Sequence, residues 1–123
     1  MPKSLPDTLE ILHVDNNNLI VLPKDLPREL NSLHVNNNDL SELPKNLPNK
    51  LEVLRAKNNK LIKVPTQWPP TLEILDLREN ELDAFSLTET PVYALRKLYL
   101  ASNPLSALSL SKEVAIYLED ISF

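Results

Sequence analysis

The sequence predicts an α/β repeat fold: a short solenoid of stacked coils with a parallel β-sheet on its concave face. Three observations carry this. Leu9, Leu30, Leu51 and Leu72 recur every 21 residues, and Leu95 follows after 23. From each of these starts, apolar residues fall at the same offsets. All 25 such slots across five repeats are apolar, where a chain of 42% hydrophobic residues would fill about ten by chance. One polar slot is as strict, holding Asn17, Asn38, Asn59, Asn80 and Asn103.

Each repeat begins with a strand. Its alternation points two apolar residues inward, such as Leu12 and Val14 or Leu33 and Val35, and turns the residues between them outward. One coil cannot bury these residues alone, so successive coils stack and share a core. Leu118, Ile121 and Phe123 repeat the spacing of Leu95, Leu98 and Leu100. A partial sixth repeat from 118, with a strand over about 119–123, is therefore expected. The whole chain, 1–123, is expected to be one domain.

After each strand the chain turns inward, and backbone groups are carried away from water. An Asn amide offers both donors and an acceptor, so a column of them bridges coils. Asn17, Asn38, Asn59 and Asn80 are expected to be buried and hydrogen-bonded, with Asn103 continuing the ladder. The return path belongs to proline. Pro6, Pro27, Pro48 and Pro69 are 21 residues apart, as are Pro23, Pro44 and Pro65. Proline donates no hydrogen bond and disfavours helix, so the convex side is expected to be mostly extended. The later returns, over 87–94 and 111–117, are two residues longer and are expected to hold short helical turns. Ser111 is placed as a cap ahead of Glu113 and Val114.

The chain has no Gly and no Cys. Without Gly, phosphate-cradling loops are excluded and the turns need another residue that tolerates positive φ. The runs at Asn16 to Asn18, Asn36 to Asn38 and Asn58 to Asn59 are the candidates. Without Cys there is no disulfide, thiolate metal site or thiol nucleophile.

In the segment from Leu26-Pro27 through Leu33-His34-Val35 and Asn38-Asp39-Leu40 to Leu43-Pro44, the pattern LPxxLxxLxVxxNxLxxLP is complete. It resembles the leucine-rich repeats of the bacterial-effector subclass, the YopM- and IpaH-like group. The likeness is close over about 5–85, and the remainder fits only the general repeat. It implies a recognition scaffold that binds protein on its concave sheet, with host-pathogen interaction as the setting. The ubiquitin-ligase activity of the IpaH group needs a catalytic Cys, which this chain lacks. No helical hairpin of the kind that precedes effector repeats is expected ahead of Leu9. The expectation is accordingly a non-enzymatic protein without a catalytic domain, cofactor or metal.

The outward residues form columns. His13, His34, Arg55, Asp76 and Tyr99 make the central one. Ile11, Ser32, Val53, Ile74 and Lys97 precede it, and Asp15, Asn36, Lys57, Arg78 and Ala101 follow it. The expected protein-binding residues are His13, His34, Arg55, Asp76, Tyr99, Val53, Ile74, Lys57 and Arg78. Their mixture of cations, an aromatic and β-branched residues suits partner recognition. Charge is uneven along the stack. Residues 50–70 hold five cations against one acid, and 71–93 hold six acids against one cation. Ion pairing between neighbouring coils is the favoured reading, and a polarised docking surface the sharper one.

His13 and His34 fall on adjacent strands. With Asp15 they are the residues a loose zinc or nickel site would use, but the spacing fixes no third strong ligand. Two adjacent imidazoles are expected to lower each other's pKa. The formal charge of −4 argues against a nucleic-acid partner. No apolar stretch approaches a membrane span, and no secretory signal or Asn-x-Ser/Thr acceptor is present, so an intracellular location (cytoplasm or host cytosol) is expected. The edge of the first strand, about 10–14, has no cap before it. A homodimer or assembly contact through that edge is the alternative function.

Overall fold

The computed structural model describes residues 5–65, 67–87, 94–110 and the strand Asp120–Ser122. Eight strands follow in chain order: β1 (Ile11–His13), β2 (Ser32–His34), β3 (Val53–Arg55), β4 (Ile74–Asp76), β5 (Ala84–Leu87), β6 (Lys97–Tyr99), β7 (Ala107–Leu110) and β8 (Asp120–Ser122). The main sheet is parallel, in the order β1-β2-β3-β4-β6-β8. Its last strand is the one expected over 119–123, paired with β6. Register follows the repeat without slippage. Leu12, Leu33, Leu54, Leu75 and Leu98 are successive partners. The 21- and 23-residue periods thus become a row of leucines, about 4.8 Å apart, pointing into the stack.

That row is the centre of the core. Leu33, Leu54, Leu75 and Leu98 are fully buried, as are Leu40, Leu61 and Leu82 on the next stretch of each coil. In the first coil the equivalent Leu12 and Leu19 are only partly buried. Trp68 and Phe85 pack against each other on the return side, with ring centroids 6.2 Å apart.

The asparagines join the coils. The Asn59 amide donates to the Val35 carbonyl of the preceding coil (3.0 Å) and to Ala56 of its own (3.2 Å). Its Oδ1 accepts from the Leu40 N–H, 3.1 Å away in the preceding coil. Asn38 repeats the set with Val14, Val35 and Leu19. Asn80 does so with Ala56, Leu77 and Leu61, and Asn103 with Leu77, Leu100 and Leu82. Asn38, Asn59 and Asn80 are buried. Asn17 corrects the expectation. It is exposed, and its amide donates only within its own coil, to Val14 and Asp15. The other four lie over a preceding coil that both donates and accepts. Asn17 reaches back to none among the described residues.

The turn residues that replace Gly are those with positive φ: Asn16, Asn37 and Asn58, then Glu79 and Ser102. The first three form a second amide ladder on the outside. Asn37 donates to Asn16 Oδ1 at 2.9 Å, and Asn58 to Asn37 Oδ1 at 2.8 Å. Each leading proline closes a four-residue turn into the next strand. The carbonyls of Pro6, Pro27, Pro48 and Pro69 accept from the N–H of Leu9, Leu30, Leu51 and Leu72.

The convex side differs between the two halves for one reason. Pro23, Pro44 and Pro65 lack the N–H a ladder needs, and those returns stay extended and unpaired. In the next two coils that slot holds Ser86 and Ser109, which are register partners in a second parallel sheet, β5-β7. No helix occurs among the described residues. The helical turns expected over 87–94 and 111–117 fall almost wholly outside them. Leu87 is within them and ends β5.

Asn59→Leu removes the donors and acceptor that tie two coils together; it leaves the Leu40 N–H buried without its partner and the Val35 carbonyl with Asn38 alone. The expected loss is about 1–3 kcal/mol of unfolding free energy, measured by urea denaturation. An unchanged midpoint would show that the ladder does not hold the coils.

Candidate functional site

The register brings the outward columns together as the spacing requires. Ile11, Ser32, Val53, Ile74 and Lys97 are successive partners, as are His13, His34, Arg55, Asp76 and Tyr99. Three-residue strands carry both columns, so each side chain on this face is set by a backbone paired on both sides from β2 to β6. Val53, Ile74, Arg55, Lys57, Arg78 and Tyr99 are half-buried, and Ile11 is 57% exposed.

Asp76 does not face the solvent with its column. It is only 2% exposed, and its carboxylate is bound by Arg78 through Nε (2.9 Å) and Nη2 (2.6 Å). Arg55 approaches the same carboxylate at 3.9 Å. A buried carboxylate needs such a partner, because desolvation of an unpaired charge costs several kcal/mol, on the order of the chain's whole stability. Arg78, two residues beyond the strand, folds back to supply it. The guanidinium then lies 4.9 Å from the centre of the Tyr99 ring. Its hydrogen bonds to Asp76 raise the Arg78 pKa above its ordinary value, against the effect of burial. Asp76 is thus a holder of Arg78 rather than a contact residue of its own.

Other outward residues also tie the coils. Asp15 Oδ1 accepts from the Asn36 N–H, and Asn36 Oδ1 accepts from the Lys57 N–H. Lys57 pairs with Glu79 at 3.3 Å, Lys60 with Asp39 at 3.5 Å and Lys50 with Glu29 at 2.6 Å. These links join neighbouring coils, so the charge alternation along the sequence serves coil-to-coil pairing. All three pairs are accessible to solvent, which screens them and keeps their contribution small.

His13 and His34 stack, with centroids 4.0 Å apart and planes 25° from parallel. In stacked imidazoles the in-plane lone pairs run side by side and do not converge on one ion. Among the described residues no group of three or more His, Asp or Glu gathers to hold a metal. His34 is held below its ordinary pKa, first by burial and next by the adjacent His13; Asp15 opposes the shift and Arg55 adds to it.

A wide groove of about 920 Å³ runs along the proline turns, lined by Asp25, Arg28, Lys45, Lys50, Trp68 and Pro69. Every charged residue along it is at least partly exposed, and its one buried polar atom without a partner among the described residues is the Trp68 indole N–H. The sheet face, with its pinned arginine, remains the candidate site.

Several solved structures resemble this chain, two bacterial effectors among them. A Shigella effector leucine-rich repeat domain shares 31% identity at a TM-score of 0.67, over 83% of this chain and 49% of its own length. YopM from Yersinia enterocolitica shares 32% identity at a TM-score of 0.71, over 96% of this chain and 29% of its own. The chain is a leucine-rich repeat protein of the bacterial-effector type. It spans about half the length of one of these relatives and less than a third of the other. No family model and no curated protein matches it. As a leucine-rich repeat solenoid, it carries its candidate contact residues on the concave sheet.

The His34 shift sets a direction for pH. Between its lowered value and the ordinary 6.5, the unfolded chain binds more protons than the folded leucine-rich repeat. Stability therefore rises with pH across that window and is lost on acidification through it. An NMR titration should place the His34 midpoint below 6.5, move it upward in His13→Gln and move it further down in Asp15→Asn. A midpoint at or above the ordinary value contradicts the stacked, partly desolvated geometry.

Proposed function

We propose that this chain is a non-enzymatic scaffold that recognises a partner protein on its concave sheet, in the manner of a host-directed effector or decoy. One observation carries the reading. The outward columns gather Arg55, Arg78 and Tyr99 beside the aliphatic pair Val53 and Ile74, with Arg78 fixed by a buried carboxylate. Cations, an aromatic and aliphatic residues held in place make a contact surface. The same residues, engaged in ion pairs and stacking, are arranged for binding rather than for turnover. The likeness to two bacterial effectors supports the same class of function. Among the described residues no helix is long and apolar enough to cross a membrane. Host cytosol is the proposed site of action.

A second reading rests on the first coil. Leu9, Leu12, Val14 and Leu19 are partly buried, where Leu30, Leu33, Val35 and Leu40 in the next coil are fully buried. A second copy packing on that coil would cover them. Affinity capture from host-cell extract, with light scattering on the same preparations, separates the two. Replacing His34, Arg55 and Tyr99 together by Ala should abolish capture of the partner and leave the oligomeric state unchanged. Capture that survives this change, with an oligomer lost on Leu12→Asp, favours the assembly reading instead.

A further inference from the structure

We propose that the concave centre selects a partner segment in extended form that carries one acidic side chain two positions from an aliphatic one. This rests on the concave-sheet reading above and names the partner's chemistry.

The charges of the face are one-sided once burial is counted. Across β3, β4 and β6 the three outward columns hold Arg55, Lys57, Arg78 and Lys97. The single acid among them, Asp76, is 2% exposed and bound bidentately by Arg78. The sequence shows a mixed column; in the structure its acid is buried and neutralises Arg78, Lys57 is paired with Glu79, and Arg55 keeps an exposed charge. Arg78 is also ready for a ligand. Its Nε and Nη2 are fixed on Asp76, its plane lies against Tyr99, and its side chain is still 36% exposed. A guanidinium has five N–H donors, so the Nη1 edge, which no described residue binds, remains for a second carboxylate. Little side-chain entropy is then lost on binding.

Val53 and Ile74 are partners on adjacent strands, two residues before Arg55 and Asp76. The aliphatic patch is thus one column, about 6.6–7 Å, from the cations. An extended peptide repeats its side chains on one face at the same interval. An aliphatic residue over Val53 and Ile74 therefore brings the residue two positions away to Arg55 and Arg78. The surroundings limit how much acid the partner can carry. Glu52 and Glu73 are exposed one position before the aliphatic column, and Glu79 is exposed one position beyond Arg78. A uniform polyanion meets these carboxylates and is repelled, whereas a single centred carboxylate is not.

The test is selection of short random peptides displayed on phage against the full chain. Recovered peptides should be enriched in Asp or Glu two positions from Leu, Ile or Val. The enrichment should vanish for Asp76→Asn/Arg78→Gln, which removes the cation without stranding a buried carboxylate. Arg55→Gln, which leaves Asp76 held by Arg78, should weaken individual selected peptides by about tenfold. Recovery of basic peptides, of no charge preference, or of no binders at all overturns the proposal, as does binding indifferent to both variants. Non-acidic peptides that are lost with the His34, Arg55 and Tyr99 triple change would overturn this proposal alone and leave the concave-sheet reading standing. Peptides indifferent to that change as well would overturn both.

Discussion

Each coil of this solenoid turns inward after its strand and carries backbone groups to a place that water does not reach. The side chains of Asn38, Asn59, Asn80 and Asn103 meet them there, donating to carbonyls of two coils and accepting from an N–H of the earlier one. Among the described residues, the buried side-chain hydrogen bonds between consecutive coils are theirs. The leucine rows supply most of the free energy of stacking, but apolar contact is non-directional and permits sliding. Amides that must find both a donor and an acceptor fix the coils in one register, and the parallel sheet inherits it.

The rest of the architecture follows from that register. With strands fixed in line, outward side chains become columns, and a residue in one coil has a set neighbour in the next. Arg55 meets Asp76, His13 meets His34, and Arg78 reaches both Asp76 and the Tyr99 ring. The proposed recognition on this face therefore depends on the amides behind it. The columns are carried by three-residue strands, paired on both sides from β2 to β6. The proposed selectivity lies in which side chains the columns present, and Asp76 is withdrawn from them by burial.

Much of this was legible in the amino-acid sequence because a strict period constrains many positions at once. The strands of the main sheet, their register, the outward columns and the sixth strand all follow from leucine spacing. Three features were not legible. The exposure of Asn17 depends on what lies behind it in space, which its identity does not disclose. The burial of Asp76 depends on Arg78 folding back from beyond the strand, a choice of side-chain conformation rather than of spacing. The second sheet, β5-β7, depends on serines at the slot where earlier coils carry proline. That signal was present at Ser86 and Ser109, but it is an absence of proline and points to pairing only when the two returns are known to be adjacent. Glu79 and Ser102 also take left-handed geometry without being Asn or Gly. The fold imposes it there at about 1–2 kcal/mol each.

The most direct measurement of the central claim is amide hydrogen exchange at Leu40 and Leu61 under native conditions. Their N–H groups donate to Asn59 and Asn80 side chains. The account predicts that they exchange as slowly as the core strand amides, with an opening free energy close to that of global unfolding. Exchange at the rate of the exposed turn amides would contradict it, because the asparagine column would then not be what holds the coils together.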